Sequence, residues 1–149
     1  MLGSVVAIQP GAVGDPLTEW RYAPGETNFE TPTVVDGDVY IPGERLHALS
    51  AATGAVRWTA PVRATAGVST DGERLTPVDD GSLVALDTAD GTDRWRVSLA
   101  PEAGVFFRTR PLVTTHSVVV TTEKPQLDAR VETFAVDRES GGTLVALAD

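Results

Sequence analysis

The chain has no cysteine in its 149 residues, one methionine, two histidines, one lysine (Lys124) and only 6% aromatic residues. Without cysteine there is no disulfide, no thiolate metal site and no thiol nucleophile, and the redox compartment cannot be read from the sequence. No stretch approaches the length of a membrane-spanning helix. Residues Met1 to Ile8 lack the basic start and long apolar run of a signal peptide, and Val5-Val6-Ala7-Ile8 reads as a strand instead. Helical periodicity is scarce too.

Basic charge is in short supply. Lys plus Arg number 12 against 21 for Asp plus Glu, a formal net charge of -9. A broad basic surface for nucleic acid or anionic membrane is therefore disfavoured. An acidic surface nearly free of lysine suits solubility at high salt, where ions screen self-repulsion, although an acidic mesophilic protein can carry the same balance. Hydrophobic residues make up 42% of the chain, enough to bury a core.

What the chain does have is a repeat. Ala48-Leu49-Ser50-Ala51-Ala52-Thr53-Gly54-Ala55-Val56-Arg57-Trp58 returns as Ala85-Leu86-Asp87-Thr88-Ala89-Asp90-Gly91-Thr92-Asp93-Arg94-Trp95, with Ala, Gly and Trp in register. Trp20, Trp58 and Trp95 are spaced by 38 and 37 residues, a period typical of propeller blades and other stacked modules. Between these marks lie short runs rich in Val and Thr, broken by Asp-Gly turns such as Asp36-Gly37, Asp71-Gly72, Asp80-Gly81 and Asp90-Gly91.

The pattern predicts an all-β chain of four-stranded antiparallel units: residues 31–60, 66–98 and 108–148, preceded by a half unit over 4–22. Strands this short and this apolar are not stable alone, so four must pair and the sheets must stack. In the last unit Phe134-Ala135-Val136-Asp137 aligns with Val84-Ala85-Leu86-Asp87, but Val145 stands in the tryptophan slot. That unit also carries two longer connections, Leu99 to Arg110 and Glu123 to Val131.

The phrase Ala-x-x-x-x-(Thr or Asp)-Gly-x-x-x-Trp on consecutive last strands resembles the repeat of the pyrroloquinoline-quinone (PQQ) type β-propeller family, which includes quinoprotein dehydrogenases and non-catalytic scaffolds. The resemblance covers about Val5 to Leu147. It implies that Trp58 and Trp95 dock against a neighbouring blade, that Trp20 does the same in a divergent copy, and that the glycines permit the turns beneath them. It also implies a setting outside the cytoplasmic membrane. Such propellers close with seven or eight blades, whereas this chain supplies about three and a half. An open arc would expose apolar sheet faces, so the chain is expected to be part of a larger ring or to close against another copy.

A quinoprotein enzyme would need PQQ over an aromatic platform, calcium held by oxygen ligands and a catalytic aspartate. No residue here matches those ligands or that base through a local motif, and the cysteine pair that commonly covers the quinone is impossible. Catalytic, cofactor-binding and metal-binding residues are accordingly read as none, and no cofactor is expected unless the chain is a piece of a PQQ-dependent alcohol or sugar dehydrogenase with PQQ and calcium. The carboxylates Asp36 and Asp38, Asp79 and Asp80, and Asp90 and Asp93 sit beside glycines at hairpin tips, where turn chemistry accounts for them better than calcium, which needs six to eight converging oxygens.

His47 and His116 have no spaced partner for zinc, and no nucleophile elbow supports a serine triad. Gly11-Ala12-Val13-Gly14-Asp15-Pro16 lacks the lysine and helix of a phosphate loop and reads as a connection. Phe106-Phe107 with Arg108 and Arg110 is either a contact patch of aromatic and arginine residues or the start of the fourth unit. The Glu123 to Val131 insertion, with Pro125, is a second candidate for contact. The expected function is a non-catalytic binding or scaffold role, through turns and loops presented to a protein or surface ligand.

Overall fold

The computed structural model describes residues 4–8, 18–26, 30–79, 81–99, 106–107, 109–124 and 130–148. Every regular element among them is a β-strand. Sheet I pairs β1 (Val5–Ile8) with β2 (Thr18–Tyr22). Sheet II runs in chain order through β3 (Thr33–Val35), β4 (Asp38–Ile41), β5 (Leu46–Ser50) and β6 (Val56–Ala60). Sheet III repeats the meander with β7 (Val68–Thr70), β8 (Arg74–Asp79), β9 (Ser82–Asp87) and β10 (Asp93–Ser98).

Sheet IV contains β11 (Phe106–Phe107), β12 (Leu112–Val113), β13 (Ser117–Lys124), β14 (Arg130–Asp137) and β15 (Thr143–Ala148). All pairings are antiparallel, no sheet closes into a barrel, and the architecture is that of consecutive propeller blades. Of the two readings of Phe106-Phe107, the start of the fourth unit is the one the strand pairing agrees with, although the unit begins two residues earlier than the 108 expected from the sequence. The two residues pair with Thr122 and Glu123 of β13. The cause is length: β13 and β14 each run eight residues, so the far end of β13 extends past β12 and its backbone groups need a second partner.

Strict alternation builds the core. In β5, Leu46 and Ala48 face sheet III while Leu49 faces sheet I; in β9, Val84 and Leu86 face sheet II while Leu83 and Ala85 face sheet IV. Three apolar layers result. The first joins Val5, Trp20 and Tyr22 to Val39, Ile41 and Leu49. The second joins Tyr40, Leu46, Ala48 and Trp58 to Leu75, Val84 and Leu86, and the third joins Val78, Leu83, Ala85 and Trp95 to Val118, Val120 and Val136. Because the middle strands are covered on both faces, they read as continuous apolar runs.

One irregularity recurs in all four sheets. The register slips by a residue just before the tryptophan slot, leaving Glu19, Arg57, Arg94 and Leu144 as the extra residues of β2, β6, β10 and β15. Such a bulge bends the strand and re-aims the next side chain. In the first three sheets that side chain is an indole.

Candidate functional site

The best-defined constellation is the joint between consecutive sheets. Trp20 Nε1 donates to Ala51 O at 2.8 Å, Trp58 Nε1 to Thr88 O at 2.9 Å, and Trp95 Nε1 to Arg138 O at 2.9 Å. Each indole also lies on a glycine of the same receiving turn. A β-carbon added to Gly54 would sit 2.6 Å from Trp20, one on Gly91 2.5 Å from Trp58, and one on Gly141 2.7 Å from Trp95. All three glycines have positive φ, between 70° and 74°. Only glycine meets both demands, a left-handed backbone and no β-carbon under the ring.

Each receiving turn is itself tied to the turn beside it. Ala51, Thr88 and Arg138 donate their backbone N–H to Gly37, Glu73 and His116 carbonyls at 2.9, 3.0 and 3.0 Å. The residue whose carbonyl accepts the indole is thus also held through its own N–H within its blade.

Sheets III and IV have a second link. Arg74, buried in β8, donates to Asp71 at 3.2 Å and to Glu139 at 2.5 Å, while Arg138 approaches Asp71 at 3.5 Å. Burial alone would raise the Asp71 carboxyl, but backbone N–H donors from Arg74 and Glu73 and the two guanidinium groups hold it below the ordinary 3.8. The Asp87 carboxylate is lowered by the Ala89 N–H and Arg94, and that of Asp137 by Ser140 and Glu139. Turn carboxylates whose pKa is lower in the folded chain stabilise it fully above the unfolded value and lose that contribution as pH falls through the folded value. Urea midpoints should therefore fall once pH drops below about 4, and a midpoint that rises on acidification would contradict these contacts.

The structure places the residues singled out from sequence as follows. Asp36 and Gly37 both have positive φ, 49° and 82°, a tight hairpin turn. Asp38 pairs with Arg57 at 2.5 Å, Asp79 accepts from Arg63 N and Arg96, and Asp90 caps Thr92. Asp93 lies near Arg96 at 3.4 Å. These acids do not converge, and among the described residues no group of three metal-ligating side chains forms. Asp80, the loop Gly11 to Pro16, Arg108 and the centre of the Glu123 to Val131 insertion, Pro125 included, lie outside the described residues.

His116 sits exposed at a turn. Phe107 packs into the layer between sheets III and IV, and the Arg110 side chain lies 3.3 Å from where a Gly67 β-carbon would be.

His47 is 5% exposed, and its ring joins Tyr22 at the end of β2 and Glu26 in the segment after it. Tyr22 Oη bonds Nδ1 at 3.0 Å, and Glu26 Oε1 bonds Nε2. Burial and then the Glu26 charge raise the Tyr22 phenol above its ordinary value. Sequence reasoning missed this cluster, whose members lie 21 and 25 positions apart with no periodic signal. With both ring nitrogens occupied in a buried place, His47 fastens sheet I to sheet II.

A family model described as outer membrane protein assembly factor BamB matches residues 42–146, more than two thirds of the chain. The chain belongs to this family. Its repeats are of the PQQ-like propeller kind. Among curated relatives, the serine/threonine-protein kinase AfsK of Streptomyces griseus is 34% identical over 113 residues, which is 64% of this chain and 14% of that protein. The AfsK kinase of Streptomyces coelicolor is 36% identical over 78 residues, 52% of this chain and 10% of that one. The chain therefore spans about a seventh or less of these relatives.

Among solved structures, BamB from Moraxella catarrhalis superposes with a TM-score of 0.68 at 21% identity, covering 87% of this chain and 40% of that one. The quinohemoprotein alcohol dehydrogenase from Comamonas testosteroni gives 0.69 at 24%, covering 83% and 21%. At such identities the likeness establishes the fold. BamB-type scaffolds and dehydrogenases share it, and the joints described above are what this chain contributes to it.

Proposed function

We propose that this chain is a non-catalytic binding or scaffold segment of a PQQ-like propeller, held by tryptophan docking between blades and presenting turns and loops to a protein partner. The carrying observation is the use made of the indoles. All three tryptophans lie on glycines and donate to the next blade, so none is left as a platform for a quinone. Asp71 and Asp90 cap turns, Asp38 and Asp79 pair with arginines, and these carboxylates do not converge as a calcium site would require. The match to the BamB family and the kinase relatives favour recognition over oxidation. The acidic, lysine-poor composition is read as an adaptation to salt.

The test is titration of the chain with PQQ and calcium, following tryptophan fluorescence and the reduction of a redox dye by simple alcohols. The expected result is no saturable quenching and no dye reduction. Saturable binding or turnover would replace this reading with that of a dehydrogenase piece. Cross-linking in a cell extract should capture a protein, and failure to capture any would leave a purely structural segment of a longer surface protein.

A further inference from the structure

The joint between sheets III and IV carries a buried charge. Arg74 alternates with Leu75, which packs toward sheet II, so it lies on the face of sheet III turned to sheet IV, 6% exposed. No other arginine among the described residues is buried. Its guanidinium meets carboxylates from both blades, Asp71 Oδ2 of sheet III at 3.2 Å and Glu139 Oε2 of sheet IV at 2.5 Å. Arg138, whose carbonyl receives the Trp95 indole, brings a second guanidinium to the same Asp71 oxygen at 3.5 Å. Asp71, with its side chain 11% exposed, thus serves one cation from each side of the joint.

The two oxygens of Asp71 have separate tasks. Oδ1 accepts the backbone N–H groups of Glu73 and Arg74 at 3.0 and 2.8 Å and shapes the turn, while Oδ2 faces the guanidinium groups. Protonation leaves the turn its acceptor. It also leaves Arg74 a buried cation facing only Glu139, which is 64% exposed and is neutralised by acid in its turn. A buried charge stripped of its partner is strongly destabilising, and Arg138 Nε is already buried without a hydrogen-bond partner.

The other ionisable groups around Asp71 do not replace it. Glu73 is exposed in the same turn, and Asp36 approaches Gly72 from sheet II, 3.6 Å from where a β-carbon would be. Asp87 is held by Arg94, Asp137 accepts the N–H groups of Glu139 and Ser140, and His116 is exposed. Among the described residues, the layer around Trp58 holds no buried charged side chain.

From this we infer that the joint between sheets III and IV is an acid-operated release, which opens when Asp71 is neutralised while the Trp58 joint stays closed. Burial opposes the Asp71 charge, but the backbone donors and the two guanidinium groups outweigh it, so its carboxyl titrates below the ordinary 3.8 in the fold. Its contribution is complete above that ordinary value and is lost as pH falls through the lower folded one, below about pH 4. The release operates whether or not the chain binds a protein partner.

Two indoles report the two joints in one sample. On the full chain, nitrogen-edited exchange should give Trp58 and Trp95 N–H rates that run together at about pH 6, with Trp95 faster by about tenfold or more at about pH 3. Taking their ratio cancels the pH dependence of indole exchange itself. Asp71→Asn keeps the turn acceptor and removes the charge, so it should raise the ratio already at about pH 6. Arg74→Met removes the buried cation and should make the ratio independent of pH. If Asp71→Asn does not fold, the parent chain and Arg74→Met decide. A parent ratio that stays constant down to about pH 3, with both signals lost together or neither, would overturn the inference. So would a folded Asp71→Asn chain whose Trp95 stays as protected as its Trp58, or an acid rise that survives in Arg74→Met.

Discussion

Trp58→Ala should lower the free energy of unfolding by about 3–5 kcal/mol, the range for emptying an aromatic site in a packed interior. Trp58 is 9% exposed and lies in the layer between sheets II and III, beside Tyr40 with ring centroids 6.0 Å apart. Its removal leaves a cavity over Gly91 and frees the Thr88 carbonyl from the indole N–H at 2.9 Å. Domains of this size have only about 5–15 kcal/mol in total. The substitution should therefore take a large share of it, seen as a lower urea midpoint with little change in slope. Trp58→Phe should recover part of the loss, since it restores apolar area but not the donor. An unchanged midpoint in Trp58→Ala would mean that the joint contributes little.

Gly91→Ala should approach the same effect from the opposite side of the contact. The residue has φ of 74°, and a β-carbon would lie 2.5 Å from the Trp58 ring. A left-handed backbone costs an alanine about 1–2 kcal/mol, and crowding a packed site adds about 1–3 kcal/mol. Gly37→Ala separates the two costs, because Gly37 has φ of 82° with nothing within 4 Å of the added carbon. It should show the backbone cost alone. The double variant Gly91→Ala with Trp58→Ala should lose less than the sum of the singles, since the ring that collides is gone. Strict additivity would mean that ring and glycine do not meet.

The joints were legible in the sequence because a repeat writes the same contact three times. The spacing of Trp20, Trp58 and Trp95, with Gly54 and Gly91 in register, carries both partners of each contact, and Gly141 completes the series although its own blade has lost the indole. Trp20 was legible only through its interval, since little else of the half unit resembles the others. The Tyr22–His47–Glu26 cluster and the Arg74–Glu139 pair were not legible. They join residues 21 to 65 positions apart, once each, and nothing local distinguishes them from solvated side chains. The short strand β11 was hidden for another reason: two residues cannot show an alternation, and their pairing is set by the length of β13.

The bulge before each tryptophan slot lies between these cases. Sequence alignment puts Glu19, Arg57, Arg94 and Leu144 one step before the slot, but only the strand register shows that each is an extra residue. That register explains how an indole on the outermost strand reaches the neighbouring turn. It also places the apolar Leu144 where the other sheets hold a charge.

Hydrogen exchange at the three indole N–H groups, followed by nitrogen-edited NMR, tests the central claim most directly. The chain has only these three tryptophans, and each is placed as donor to a carbonyl of the next blade at 2.8–2.9 Å. All three signals should exchange far more slowly than a free indole, with Trp58 and Trp95 limited by global unfolding. Exchange of Trp58 and Trp95 at the rate of free indoles would contradict the account, because the blades would then not be joined through their rings.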